Sequence, residues 1–432
     1  MAAVGASVGL GNLWRFSAEA GSNGGGAFIL VYLLSVIFIG IPILMSELII
    51  GRAGHANSAV ISSQDLCKRS DVSQYWSSGA WIGMIAAFLI VSFYCVVAAW
   101  VMAYVPKFLS GSFATQSSIQ ISNQFDTLIS KPTEVVPWFL VFAFITTFFV
   151  SRGVNKGIEF ASKILMPVFF LLLLGLSAFS IIHGLSSGGT WAAIKFLYTP
   201  DIGKINGSVA LGALGQAFFS LGIGSAIMIT YGSYLPKSVS IPRSAIFIGF
   251  CDTLVALIAG FAIFPIVFTY GLDFDAGAGL FFQTLPVALS NIPGGNIIGA
   301  SFFTLAIFAA ITSSISLLEP SVAYVAERYS IRKSLAALIC GLAMSLLGMV
   351  CIFRISFMDF IDTRLTGPIM LPLSGLIVIV FVGLRLKRTI IEQELSKADL
   401  KLANFLLFFV RYVAPILVGA VLISGIFDKY IR

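Results

Sequence analysis

Charge is scarce in this chain: Asp, Glu, Lys and Arg make up 10% of its 432 residues, well under the ~25% usual in soluble domains. That shortage excludes a water-soluble domain of this length, because too few charges exist to cover its surface. Histidine is scarcer still, with only His55 and His183, both near loops. Neither sits in a metal-ligand spacing or beside a nucleophile and base, so nothing supports a membrane enzyme. The five cysteines lie mostly within apolar stretches, and the longest polar connection, near 110–137, has none; a disulfide framework is not expected. The net charge of +7 sits in short connections and requires no nucleic-acid partner.

What the chain has in abundance is apolar length. Hydrophobic residues reach 58% and the mean hydropathy is +0.99, and stretches able to cross ~30 Å of hydrocarbon recur along the whole sequence. Eleven candidate spans are centred near residues 10, 40, 93, 143, 172, 220, 255, 311, 343, 371 and 413. The expected fold is an all-α polytopic membrane protein forming one integral membrane domain. Sixteen of the 26 Lys and Arg fall in the set of connections containing Arg52, Arg152, Lys237, Arg328 and Arg385, against eight in the opposite set and the C-terminus. Positive charge marks the first set as cytoplasmic, which places the N-terminus inside and the C-terminus outside.

Two spans are interrupted. "GASVGLGN" carries Gly5, Gly9 and Gly11 through the middle of span 1, and "FSLGIGS" carries Gly222 and Gly224 with two serines through span 6. Glycine in membrane helices commonly serves close packing, but each cluster lies in the first span of a five-span set. Residues 1–183 and 206–384 are therefore expected to be inverted repeats, with 400–432 an additional span. Inverted repeats bring the two interruptions together near the bilayer midplane, where freed backbone groups need partners. Helix ends there offer amide donors to a carboxylate and carbonyls to a cation, so a zwitterion accompanied by Na⁺ is a natural guest.

Hard cations need oxygen ligands, and the apolar spans offer Asn12, Ser220, Asp252, Thr312 and Ser313. Asp252, in "GFCDTLVALIAGF", is the most informative, since an ionised carboxylate in mid-membrane costs roughly 2.5 to 3.5 kcal/mol on the lenient scale. An ion or proton role and a buried structural hydrogen bond are its two readings. Thr312 and Ser313 can instead bond back to their own helix. A channel would need a continuous polar lining or a ring of charges, whereas these groups cluster at one depth.

"GLGNLWRF", "NGGGAF", "GIPILMSELIIGR", "FFSLGIGSAIMITYGSY" and "AAITSSISLLEP" together give the chain a strong resemblance to the neurotransmitter:sodium symporter family, in particular its bacterial amino-acid transporters. The resemblance implies a sodium-coupled symporter of the bacterial inner membrane that imports a neutral L-amino acid by exposing a central site alternately to each side. Two Na⁺ sites are implied: one from the Ser7 carbonyl, Asn12, Ser220, Asp252 and the substrate carboxylate, the other from the carbonyls of Gly5, Val8 and Ala309 with the hydroxyls of Thr312 and Ser313. The substrate carboxylate would meet the backbone of Leu10 and Gly11 and the Tyr94 hydroxyl, and its ammonium the carbonyls of Ser7, Phe219 and Ser220. Ile90, Phe219, Gly222, Ser225, Ser313 and Leu317 would line the side-chain pocket.

Further roles follow from the same resemblance. Arg15 and Asp362 would form an outer ion pair over a lid of Tyr94 and Phe219, and Tyr234 and Glu327 an inner closure whose basic partner belongs to an N-terminal tail that this sequence does not contain. Gly157 and Pro167 would let the start of span 5 unwind, a static kink being the plainer reading of the proline. Asp252 stands where chloride-dependent relatives have Asn, beside Tyr32, Gln216 and Ser220, so no chloride requirement is expected. Gly9 stands where amine transporters have Asp, which implies a substrate that brings its own carboxylate. Small residues at Gly222 and Ser225 imply large hydrophobic or aromatic substrates. Ser17 and Glu19 depart from the family pattern, where Pro and an amide are common. A transport-inactive sensor on the same fold would share most of these features, and the oligomeric state is left open.

Overall fold

The computed structural model describes residues 2–153, 157–274, 279–396 and 399–430. Among them nine helices are long and apolar enough to cross a membrane, and no strand occurs. In chain order the principal helices are α1 (Ala2–Ser7), α2 (Phe16–Ser22), α3 (Gly26–Ala53), α4 (Gln74–Leu109), α5 (Pro132–Ser151), α6 (Glu159–Ser187), α7 (Gly207–Leu221), α8 (Ile227–Ser233), α9 (Ile241–Thr269), α10 (Gly295–Arg328), α11 (Lys333–Phe353), α12 (Ile355–Arg385) and α13 (Leu400–Phe427). The nine long helices are α3 to α6 and α9 to α13.

Burial sorts these helices into an interior pair and a lipid-facing rim. In α4 and α10, 78% of the most apolar window is buried, against 28% in α6 and α13; the first two form the centre and the last two face outward. The rim shows the side chains that only lipid would cover, including Phe144, Leu171, Leu346 and Ile416, each at least 70% exposed. α4 and α10 run antiparallel along each other, since Trp81 stacks edge-on with Tyr324 at one end and Tyr104 lies over Phe303 at the other, both with ring centroids 4.8 Å apart. Such aromatic pairs add about 0.5 to 1.5 kcal/mol each beyond area burial.

The short helices arise where glycine lets the chain leave its helical path. α1 stops at Ser7, and after Val8 and Gly9 a wide turn over Gly11–Arg15 leads into α2. α7 stops at Leu221 because Gly222 adopts φ +64°, followed by Gly224 at +74° and Ala226 at +60° before α8 begins. A left-handed alanine costs of order 1 to 2 kcal/mol, so its neighbours must hold that turn in place.

Candidate functional site

The two discontinuities meet. Asn12 Nδ2 donates to Ser220 Oγ at 3.0 Å, to Asp252 Oδ1 at 2.8 Å and to the Asp252 carbonyl at 3.0 Å. Ser220 Oγ donates to the same carboxylate at 2.9 Å, and the Tyr32 hydroxyl reaches its other oxygen at 3.0 Å. Asp252, Asn12 and Tyr32 are wholly buried. Asn12 Oδ1 in turn accepts the Gly9 N–H at 2.8 Å, which fixes the non-helical stretch of the first turn. The result is a dry carboxylate held by three neutral donors, an arrangement that suits a cation beside it. Ser7 lies at the edge of this group, its hydroxyl 3.5 Å from the Leu221 carbonyl.

Next to this network is a cavity with an empty volume of about 460 Å³. Every proposed substrate residue lines it except Leu10, namely Ser7, Gly11, Ile90, Tyr94, Phe219, Ser220, Gly222, Ser225, Ser313 and Leu317; Ala6, Gly9, Ile227 and Leu371 complete it. Leu10 enters through its backbone, donating its N–H to the Tyr94 hydroxyl at 3.3 Å. The Ser225 hydroxyl bonds to the Gly222 carbonyl, which turns it along the wall. Gly9 is pressed against this cavity, for a Cβ there would overlap Ser313 Oγ and stand 3.5 Å from the Tyr94 hydroxyl. A site of this kind, mostly apolar with a few convergent polar groups, is the usual form of a small-molecule pocket.

Tyr94 and Phe219 also border a second cavity, of about 880 Å³, that contains Arg15, Glu19 and Asp362. Arg15 Nη1 stands 3.9 Å from Asp362 Oδ1, and its guanidinium lies 4.4 Å above the Phe219 ring. Tyr94 and Phe219, with Gly11, are thus shared by the smaller cavity and a charged vestibule.

In the second set of sodium candidates, a Cβ at Gly5 would stand 3.7 Å from Thr312 Cβ and 3.1 Å from Ser162 Oγ, so α1 packs between α10 and α6. Thr312 Oγ1 donates to the Ala309 carbonyl at 3.0 Å, the back-bonded state weighed for it above. The Val8 N–H still closes a helical turn on Val4. Gly157 precedes α6 and abuts the Phe149 carbonyl at the end of α5, while Pro167 lies inside α6. Close approach to that carbonyl accounts for the glycine.

The two residues expected at the inner closure are held by separate partners. The Tyr234 hydroxyl donates to Glu319 Oε1 at 2.8 Å, not to Glu327, and Lys333 Nζ forms an ion pair with the same oxygen. Glu327 instead accepts the Ser58 N–H at 2.8 Å, at the start of the helix Ala59–Arg69. The two carboxylates are eight residues apart in α10, about 12 Å along its axis, and the exit of α8 lies beside the deeper one.

Glu47 was not singled out from the sequence. It is completely buried in α3, and its Oε1 accepts the Gly224 N–H at 2.7 Å, satisfying a donor that the broken helix leaves free. Its other oxygen has no partner among the described residues. The signal was available: like Asp252, both Glu47 and Glu319 are carboxylates inside apolar runs, "LMSELII" and "SISLLEP".

Comparison with known proteins accords with this geometry. The model of the sodium:neurotransmitter symporter family matches residues 1–128 and 113–430. An uncharacterized sodium-dependent transporter of Bacillus subtilis, YhdH, is 34% identical over 98% of this chain and 95% of its own length. An uncharacterized sodium-dependent transporter of Haemophilus influenzae is 33% identical over 99% and 96%. Among solved structures, the crystal structure of MhsT in complex with L-phenylalanine is similar at a TM-score of 0.88 and 36% identity, covering 98% of this chain and 97% of that one.

Proposed function

Since the chain belongs to the sodium:neurotransmitter symporter family and is a sodium-dependent membrane transporter, not an enzyme, we propose that it imports a neutral, large hydrophobic or aromatic L-amino acid together with Na⁺. The cavity shared by the two helix breaks carries this reading, because its polar groups converge at one end while Ile90, Leu317 and the small Gly222 and Ser225 leave room at the other. The amino-acid carboxylate meets the backbone at Leu10 and Gly11 and the Tyr94 hydroxyl. The ammonium faces the carbonyls of Ser7, Phe219 and Ser220. L-Phenylalanine bound to the similar MhsT supports a substrate of this class.

One Na⁺ is assigned to Ser7, Asn12, Ser220, Asp252 and the substrate carboxylate, a second to Gly5, Val8, Ala309, Thr312 and Ser313. With the carboxylate of Asp252 already present, chloride is not needed. Residues 1–183 and 206–384 act as inverted repeats that expose the cavity alternately, with the N-terminus cytoplasmic in a bacterial inner membrane. Arg15 with Asp362, beneath which lie Tyr94 and Phe219, closes one side; Tyr234 with Glu319, and Glu327 with Ser58, close the other, and unwinding between Gly157 and Pro167 admits water to the second Na⁺. Two Na⁺ moving down ~100 mV release about 4.6 kcal/mol, enough for roughly thousandfold accumulation.

Uptake of labelled tyrosine, tryptophan, phenylalanine and alanine into proteoliposomes, with and without an inward Na⁺ gradient, tests the proposal. Concentrative uptake of the aromatic amino acids only with the gradient is expected. Binding without uptake would replace the transporter reading with that of a sensor. Because the substrate must supply its own carboxylate beside Gly9, tyramine and tryptamine are expected not to be carried; their uptake would overturn the carboxylate assignment.

A further inference from the structure

A different cavity lies where α12 ends against the first half of α13, far in sequence from the residues discussed above. The two helices cross at Gly383, where a Cβ would stand 3.3 Å from Arg411 Cα and 3.4 Å from the Val410 carbonyl. This close crossing sets Arg411, the twelfth residue of α13, level with the last turn of α12. Arg411 Nε donates to the Gly383 carbonyl at 2.8 Å, and among the described residues the protein engages no other guanidinium N–H. The side chain is exposed, and so are its apolar neighbours Phe408, Tyr412 and Leu384, each more than half accessible. A guanidinium with four free donors on a lipid-facing surface needs an anion.

The cavity beside it has an empty volume of about 740 Å³, with Leu386 and Ile391 on its apolar wall and Arg388, Asn404, Arg411 and Tyr412 on its polar one. Among the described residues Arg388 is paired only with Glu392 one turn away, at 2.7 Å and largely exposed, a contact of small worth from which it can turn. Glu394 and Asp399, other carboxylates of this connection, are already held by Arg52 and Arg243. Arg385, Lys387 and Lys401 add exposed positive charge around the rim.

We propose that this cavity is a binding site for an anionic phospholipid, with Arg411 and Arg388 on the phosphodiester, Asn404 and Tyr412 on headgroup hydroxyls, and the acyl chains running over Leu384 and Phe408. The open apolar rim selects a lipid over a free anion. Basic pockets between spanning helices are a known form of lipid headgroup recognition. The assignment is independent of the transport reading.

The test is native mass spectrometry of the full chain from detergent titrated with phosphatidylglycerol or phosphatidylcholine, for wild type, Arg411→Gln, Arg388→Gln and Arg411→Lys, with monodispersity as the check on folding. Wild type should retain one phosphatidylglycerol in preference to phosphatidylcholine. Each Gln variant should lose about fivefold of that preference, the worth of one basic residue near a charged headgroup, and Arg411→Lys should keep most of it. Should Arg411→Gln fail to give monodisperse protein, Arg388→Gln and Asn404→Ala carry the comparison. An undiminished preference in the Gln variants overturns the proposal. So does displacement of the lipid by inorganic phosphate at low millimolar concentration, which would make this a free-anion site.

Discussion

Replacing Asp252 by Asn removes the negative charge from the centre of the buried network and changes almost nothing in shape. The carboxylate accepts from Asn12 at 2.8 Å, Ser220 at 2.9 Å and Tyr32 at 3.0 Å. Hydrogen bonds to a charged acceptor are worth about 1.5 to 3 kcal/mol and neutral ones about 0.5 to 1.5, so three donors lose roughly 3 kcal/mol together. Part of that loss would fall on the Na⁺ proposed to bind beside the network, since Asn also turns an N–H₂ toward groups that donate. At 1.4 kcal/mol per decade, the Na⁺ concentration needed for substrate binding should rise by as much as roughly a hundredfold. Chloride should recover much of it, because Tyr32 and Ser220 already donate to the carboxylate that is lost, and Gln216 stands at a third position of the anion site that the resemblance implies. The assay is equilibrium binding of labelled amino acid against Na⁺, in gluconate and in chloride. An unchanged Na⁺ dependence of Asp252→Asn in gluconate would refute the reasoning.

Three further outcomes are expected. Ser225→Phe fills the apolar end of the cavity and should move competition from aromatic toward small aliphatic amino acids with the Na⁺ dependence intact; an unchanged size ranking would count against the pocket assignment. Gly9→Ala drives a methyl into Ser313 Oγ, and overpacking of about 1 to 3 kcal/mol should weaken substrate binding between about fivefold and 150-fold. Added to Ser313→Ala, the same change should cost little more, so strictly additive losses in the binding isotherms would argue against the contact. Glu47→Ala strands the buried Gly224 N–H at about 1 to 3 kcal/mol and should lower both thermal stability and substrate affinity, whereas Glu47→Gln keeps an acceptor and should stay near wild type; equal losses in the two variants would contradict a role based on that hydrogen bond.

How much of this was legible depended on whether the signal was local. The spans, the glycine clusters around Gly9 and Gly222, and Asp252 are each visible within a dozen residues, because lipid forbids both unpaired backbone and unpaired charge. Contacts across the chain were not. Glu47 and Gly224 are 177 positions apart, and no periodicity in α3 says which of its faces meets the broken helix. The bond from Tyr234 to Glu319 is of the same kind, joining residues 85 positions apart. The family pattern supplied residue types at positions, and at Glu319 this chain pairs a buried carboxylate with Lys333, a pairing that the motif alone does not contain.

The turn between α7 and α8 explains why α3 carries polar residues where lipid or packing would favour leucine. Three left-handed positions within five residues, Gly222, Gly224 and Ala226, persist only if the surroundings over-determine them. α3 does so from within six residues. Glu47 takes the Gly224 N–H in the middle of the turn; Gly51 and Gly232 let the two backbones touch along α8; and Arg52 donates to the carbonyls of Val239, at 2.6 Å, and Pro236 beyond its end. Arg52 is itself nearly buried and fixed by Glu394, at 2.8 Å, so the clamp has no loose member. α1 meets α6 and α10 through the close approach of Gly5 to Ser162 and Thr312, and the stretch after it is held by Tyr94 on the Leu10 N–H, Gln216 on the Gly11 carbonyl and Asn12 on Asp252. A ligand that touches Gly11 and Ser225 at once therefore joins two backbone breaks that are each held by side chains from other helices, so its binding or release bears on both sets of contacts.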